Sequence, residues 1–123
     1  MQKNILVIDD DQELVKMLKI RLEANGYDVY SSFDGNDGLD KARKLKPDLI
    51  ILDLMLPKLN GYQVCRMLKF DEQFRKIPII IFSARDRDVD KELGGKVGAD
   101  AYVTKPFDDE ILLEKIHQLL LLV

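Results

Sequence analysis

The sequence predicts a single α/β domain, because short apolar runs alternate with helix-like stretches throughout its 123 residues. Five runs are rich in β-branched or aromatic residues and are bounded by polar residues, Gly or Pro, as strands are. They cover residues 5–8, 29–30, 49–52, 79–82 and 101–103. The first, third and fourth are continuously apolar, which is typical of strands buried on both faces of a parallel sheet. The second and fifth are shorter and more polar, which favours the sheet edges.

The first two helices are predicted by apolar residues at helical spacing and by residues that begin or end helices. Helix one follows Asp11, an N-cap candidate, and ends at Asn25-Gly26. Its apolar stripe consists of Leu14, Leu18 and Leu22 with Val15 and Met17 beside them. Helix two ends before Pro47, since the residue preceding a proline disfavours helical geometry.

Three further helices complete an alternating order of five strands and five helices. Helix three follows Asn60-Gly61, and helix four lies around residues 89–97. Helix four contains Gly94-Gly95, which makes it intrinsically loose by roughly 1 kcal/mol per glycine against alanine. Helix five starts near Asp108. Right-handed crossovers would wind these units into one doubly wound parallel sheet, so residues 1–123 are expected to form one domain.

Composition excludes several classes of function. The 19 Lys and Arg residues against 22 Asp and Glu give a net charge of -3, which is unsuited to nucleic-acid binding. A lone cysteine, Cys65, cannot form an internal disulfide and predicts a cytoplasmic location. One histidine, His117, argues against zinc or haem. No charged start is followed by an apolar stretch and no apolar run approaches the length of a membrane span, so neither a signal peptide nor a membrane span is expected.

Polar groups follow the predicted core strands where those strands end. The first strand runs into Asp9-Asp10-Asp11, the third into Asp53, the fourth into Ser83 and the fifth leads to Lys105. Each alone is compatible with a structural role, such as a helix cap or a solvated lysine. Together they would meet at the carboxyl edge of the sheet, where open α/β folds bind ligands. Clustered acids repel one another unless a divalent cation and the lysine compensate them.

The residue types indicate phosphoryl chemistry. Carboxylate oxygens select Mg²⁺ or a similar hard cation. A carboxylate can attack phosphorus to form an aspartyl phosphate, and a metal with a lysine suits the charge stabilisation that this transfer needs. Ser83 could donate a hydrogen bond to a phosphoryl oxygen.

The chain resembles the receiver domain of response regulators in two-component signalling, which belongs to the CheY-like superfamily. The resemblance covers essentially the whole chain and is carried by four motifs in order. These are Asp9-Asp10, Asp53-Leu54-Met55-Leu56-Pro57 with Asn60-Gly61, Ser83-Ala84, and Lys105-Pro106-Phe107. Asp53 precedes Ser83 by 30 residues and Lys105 by 52, which agrees with the family's spacing.

The resemblance implies a role for each site residue. Asp53 would be the phosphoacceptor, and Lys105 the partner of the phosphoryl group. Asp10 would bind Mg²⁺, with Mn²⁺ as a substitute, together with Asp53, the backbone carbonyl of Met55, and Asp9 through a water. Ser83 and Tyr102 would be the switch residues.

The resemblance also implies a fold, partners and an output. The sheet would be flavodoxin-like with strand order 2-1-3-4-5, and Lys105-Pro106 would be a cis peptide. The phosphodonor would be a histidine kinase or a histidine phosphotransfer protein, and the surface of helix four, strand five and helix five would signal to an output domain or downstream protein. Homodimerisation through that surface could use charges of Lys91, Asp100 and Lys115, although Ile111 stands where an acidic residue is common. The domain itself would be a signalling phosphoacceptor rather than an enzyme, and would bind neither nucleic acid nor membrane.

Three other functions fit the sequence less well. A Mg²⁺-dependent phosphatase or phosphotransferase with an Asp nucleophile often has a second Asp two residues later, where this chain has Met55. A flavin- or nucleotide-binding module would need a Gly- or Ser/Thr-rich loop after strand one, where the chain has Asp9-Asp10-Asp11. A degenerate receiver would lack some of the key residues, all of which are present.

Overall fold

A computed structural model describes residues 2–83 and 98–121 of the chain. Five parallel strands form one sheet, in the order β2-β1-β3-β4-β5. Their bounds are β1 Asn4–Ile8, β2 Asp28–Ser32, β3 Leu49–Asp53, β4 Ile79–Ser83 and β5 Ala101–Thr104. The predicted parallel sheet and its strand order are confirmed.

The three central strands are the continuously apolar runs of the sequence. Every residue of β3 and β4 is buried, as is β1 after its first residue. The edge strands β2 and β5 contain both buried and more exposed positions. A strand flanked on both sides and covered on both faces has no position at which a polar side chain could reach water, which explains the apolar runs.

Four helices lie within the described residues and cover the two faces of the sheet. They are α1 Gln12–Ala24, α2 Gly35–Leu45, α3 Gly61–Lys69 and the last helix, Asp109–Leu121. One hydrophobic core joins α2 and α3 to the sheet, and the other joins α1 and the last helix to its opposite face. Alternate residues of each central strand enter alternate cores, as the two-residue period of a strand requires. The helix predicted around residues 89–97, with Gly94-Gly95 and Lys91, lies outside the described residues.

The helix boundaries follow the capping residues. The Asp11 carboxylate accepts from the Leu14 amide at 3.1 Å, which confirms the predicted N-cap of α1. Asn25 is the C-cap of α1, and Gly26 takes the positive φ of 88° that the chain reversal requires. Asn60 and Gln63 form a reciprocal capping box at the start of α3. The last helix begins beside Asp108, whose carboxylate accepts from the Glu110 amide at 2.8 Å.

The end of α3 is tied to the start of β5 by one largely buried lysine. The side chain of Lys69 is only 10% exposed, and its ammonium lies 2.6 Å from Asp100 Oδ2. The same ammonium donates to the carbonyl oxygens of Ile77 at 2.7 Å and Arg75 at 3.1 Å. Asp100 Oδ2 also accepts from the Ile79 amide at 2.8 Å. Asp100, one of the charges expected at a dimer contact, is thus already paired within the chain.

Replacing Lys69 with alanine is expected to lower the free energy of unfolding by about 2–3 kcal/mol, since it removes the cation paired with Asp100 and the donor to two carbonyl oxygens. Urea unfolding followed by circular dichroism measures this loss. Arg21→Ala, which removes the exposed ion pair with Asp109, is the matched control and should cost no more than about 1 kcal/mol. Equal losses in the two variants would contradict the anchoring role of Lys69.

Candidate functional site

The carboxyl ends of β1, β3, β4 and β5 bring the predicted site residues together. Asp9 directly follows β1, Asp53 is the last residue of β3, and Ser83 is the last residue of β4. The Lys105 amide donates to the Ser83 carbonyl at 2.7 Å and so extends the pairing of β4 with β5 by one residue. The peptide bond between Lys105 and Pro106 is cis, as expected.

Asp9 is fully buried, and both of its carboxylate oxygens are hydrogen-bonded. Oδ2 accepts from the Lys105 ammonium at 2.8 Å, and Oδ1 accepts from the Asp11 amide at 2.9 Å. The Asp9 amide itself donates to the Ser32 carbonyl at 3.0 Å. The carboxylate is therefore fixed at both oxygens and its residue at the backbone, and it holds the lysine in place.

Asp53 is 4% exposed and lies 3.6 Å from the Lys105 ammonium. Burial raises the pKa of its carboxyl to about 6, and the nearby charge of Asp9 adds to the rise. Lys105 and the backbone N–H of Met55 act in the opposite direction on that pKa. At neutral pH the carboxylate is ionised, so it is available as a nucleophile, but the folded state bears the cost of its buried charge.

The three carboxylates form a cluster suited to a hard cation. One oxygen from each of Asp9, Asp10 and Asp53 lies within 4.8 Å of the other two, and Asp10 is exposed. Among the described residues, Lys105 contacts two of these three charges, so one ammonium there faces three carboxylates. An all-oxygen donor set of this kind fits Mg²⁺ or Mn²⁺ better than a softer metal.

The switch candidates Ser83 and Tyr102 lie on β4 and β5 and differ in exposure. Ser83 is fully buried at the end of β4, which pairs with β3, the strand that ends in Asp53. Tyr102 lies on the edge strand β5, where it is half-buried and packs against the core under α2 and α3. Their switch roles, like the metal role of the Met55 carbonyl, stay predictions. The side chain of Met55 is 56% exposed and lies at the mouth of the site.

Two glycines, Gly61 and Gly35, fix the loop from residue 54 to residue 60 through close backbone contacts. A Cβ on Gly61 would overlap the Asp53 carbonyl oxygen and come within 2.8 Å of Leu54 Cα. A Cβ on Gly35 would overlap the Leu59 carbonyl oxygen. The starts of α3 and α2 therefore approach the loop as closely as backbone permits, which fixes the peptides that flank Asp53.

Most of the chain matches a family of known proteins. The sequence profile described as the response regulator receiver domain matches residues 5–117. The chain belongs to the response regulator receiver domain family. This membership confirms the resemblance on which the site residues were chosen. It decides against a flavin- or nucleotide-binding module of the same topology.

The similarity to a curated relative agrees with this family membership. The receiver domain is 45% identical over 120 residues to the alkaline phosphatase synthesis transcriptional regulatory protein PhoP of Bacillus subtilis (strain 168), covering 98% of this chain and 49% of that protein. The chain thus spans about half the length of this curated relative.

Solved structures show the same fold. The receiver domain of the Francisella response regulator 1452 has a TM-score of 0.89 at 34% identity and covers 97% of both chains. The Vibrio cholerae chemotaxis protein CheY4 has a TM-score of 0.91 at 28% identity, covering 97% of this chain and 99% of its own. Within the described part of the receiver domain, no helix is long and apolar enough to cross a membrane.

Asp53→Asn is expected to stabilise the metal-free receiver domain at pH 7 by about 1–3 kcal/mol. The pKa of Asp53 is raised on folding, so ionisation of this carboxyl costs stability as the pH rises from about 4 to above 6. The advantage of the variant should therefore grow over that pH range, level off above it, and be small near pH 4. Urea unfolding at several pH values measures it. Asp40→Asn, at an exposed position, is the control, and a pH-independent difference for Asp53→Asn would contradict the burial argument.

Gly61→Ala is expected to lower the free energy of unfolding by about 1–3 kcal/mol, because the new Cβ meets backbone that cannot move aside. Alanine is the better helix former, so propensity alone predicts a gain. Thermal unfolding of this variant, compared with Met67→Ala at an exposed position of α3, separates the two effects. A stabilised Gly61→Ala variant would rule out the close approach.

Proposed function

We propose that this receiver domain accepts a phosphoryl group on Asp53 from a phosphohistidine of a histidine kinase or histidine phosphotransfer protein, in a Mg²⁺-dependent reaction. The observation that carries the proposal is the Asp53 carboxylate at the carboxyl edge of the sheet, with the Lys105 ammonium 3.6 Å away and two further carboxylates beside it. These groups supply a nucleophile, a fixed cation and an oxygen donor set at one place.

The transfer forms one bond and breaks another. An oxygen of the ionised Asp53 carboxylate attacks phosphorus while the P–N bond to the donor imidazole breaks, and the electron pair of that bond remains on the imidazole. The product is an acyl phosphate on Asp53. The chain has one histidine, His117, which lies on the last helix, so the donor phosphohistidine would lie outside these 123 residues.

Lys105 would stabilise the charge that the phosphoryl group brings to the site. Its ammonium is already held between Asp9 and Asp53, within reach of an oxygen bound to Asp53. This fixed position avoids reorganisation during the transfer. A divalent cation, when bound, would offset further negative charge, and Asp10, Asp53 and the Met55 carbonyl would hold it, with Asp9 acting through a water.

The domain would catalyse only its own phosphorylation and dephosphorylation. An enzyme with an Asp nucleophile on a related fold often carries a second acid two residues later, and Met55 occupies that position with a side chain that has no acid to offer. The absence of a second acid from that position supports a signalling domain rather than a phosphatase.

Phosphorylation would change the surface of the predicted fourth helix, β5 and the last helix. The phosphoryl group adds negative charge and three acceptor oxygens next to the buried hydroxyl of Ser83. Ser83 would turn to donate to one of these oxygens, and Tyr102 on the neighbouring strand would move with it. The similarity to the longer transcriptional regulatory protein PhoP supports an output domain that regulates transcription, with nucleic-acid contacts made outside this domain.

Incubating the chain with acetyl phosphate and Mg²⁺ is expected to add the mass of one phosphoryl group, measured by intact-protein mass spectrometry. Asp53→Asn should gain no such mass, and Asp40→Asn, at an exposed position of α2, should behave like the native chain. Removing the divalent cation with a chelator should abolish the adduct. Absence of an adduct on the native chain would overturn the proposed function, and an adduct on the Asp53→Asn variant would move the acceptor elsewhere.

A further inference from the structure

Lys105 rests on an aromatic ring as well as on its two carboxylate partners. Its Nζ lies 4.6 Å from the centroid of the Phe82 ring, a distance at which a cation is attracted to the ring face. The lysine side chain is 20% exposed and Phe82 is fully buried. Because little water reaches this contact, the attraction between the cation and the ring face is stronger than at an open surface.

The Phe82 ring is held in a fixed orientation. Phe82 lies on β4 between Asp53 and Val103, its register partners on the neighbouring strands. Phe107 packs its ring against it edge to face, with centroids 5.0 Å apart and planes inclined by 61°. A ring fixed by the sheet on two sides and by a second ring makes a rigid platform for the ammonium.

The ring attracts the ammonium without using one of its hydrogen bonds. A lysine ammonium has three N–H donors, and the Asp9 carboxylate takes one of them at 2.8 Å. A second carboxylate in place of the ring would add a charge and compete for the remaining donors. An aliphatic side chain of the same size would give no attraction at all. The aromatic face holds the ammonium beside Asp53 and leaves donors for an incoming group.

We propose that Phe82 is a positioning residue for phosphoryl transfer. Its ring face holds the Lys105 ammonium beside Asp53, where the ammonium can bind an oxygen of the phosphoryl group that Asp53 accepts. The inference rests on the proposed function of Asp53. It assigns Phe82 a role beyond its place in the hydrophobic core between the sheet, α1 and the last helix. The strength of the ring's negative face, and not only its shape, therefore sets the rate of transfer.

Fluorinated phenylalanines test this role, since fluorine weakens the negative face of the ring while changing its shape little. Mono-, di- and trifluorinated phenylalanine are placed at position 82 by codon suppression, and the rate of phosphorylation by acetyl phosphate is measured at saturating Mg²⁺. The rate should fall stepwise with fluorine count, and Phe82→Leu should lose roughly two- to thirtyfold, the range of a cation–π contact. Mg²⁺ affinity should stay unchanged across the fluorinated series, and the urea midpoint should fall slightly, because weakening a contact of the folded state also lowers its stability. This fall in the midpoint should disappear in a Lys105→Met background.

The same fluorinated residues at Phe74 provide the matched control, because Phe74 is buried in the core on the other face of the sheet. They should leave the rate unchanged. In a Lys105→Met background, fluorination at position 82 should also have no effect on the residual rate, since the cation is gone.

Two failures are distinguishable. A native chain that takes up phosphate, with a rate indifferent to fluorine at position 82, would overturn the role of Phe82 and leave the proposed function standing. A native chain that takes up no phosphate would overturn both. A rate that falls equally with fluorine at positions 82 and 74, or effects of fluorine at position 82 that persist in the Lys105→Met background, would assign the effect to core packing and overturn the inference.

Discussion

The Lys105 ammonium allows two carboxylates to be buried at the same edge of the sheet. The parallel sheet ends its central strands at a common edge, and two of the polar groups placed there, Asp9 and Asp53, are buried carboxylates. The Lys105 ammonium, 96 residues along the chain from Asp9, bridges both. Burial and the neighbouring charge of Asp9 outweigh its effect and raise the pKa of Asp53 to about 6. The site therefore lowers the stability of the fold, and the two large hydrophobic cores compensate for this loss. The same clustered carboxylates suit a site that must attract a cation.

Helix α3 connects this site with the opposite end of the sheet, where β5 begins. Its first residue, Gly61, touches the backbone at Asp53, and its last, Lys69, is paired with Asp100 just before β5. Both contacts involve groups with little room to relax, a backbone carbonyl at one end and a largely buried ammonium at the other. Helix α3 is thus in contact with the backbone at Asp53 at one end and with the residue that precedes the strand carrying Tyr102 at the other.

Much of the fold follows from local patterns in the sequence. The apolar runs of β1, β3 and β4 identify the buried strands because a strand covered on both faces has no polar positions. Asp11 and Asn60 mark helix starts because their side chains replace missing backbone acceptors. The site residues were found through their positions after these strands and through the family motifs. Phe82 and Gly61 were not given these roles, since a ring in an apolar strand and a glycine after a cap look the same whether or not they touch a functional group.

The sequence by itself determined the fold class, the strand order through its family resemblance, and which residue types stand at the strand ends. Only the tertiary structure decided how those ends meet: that Lys105 pairs more closely with Asp9 than with Asp53, and that its ammonium lies on Phe82. It also showed Asp100 engaged by Lys69 rather than free at the surface. The reason is physical, because periodicity and propensity act between neighbours in the chain, whereas these contacts join residues far apart in the chain and depend on distances that only packing sets.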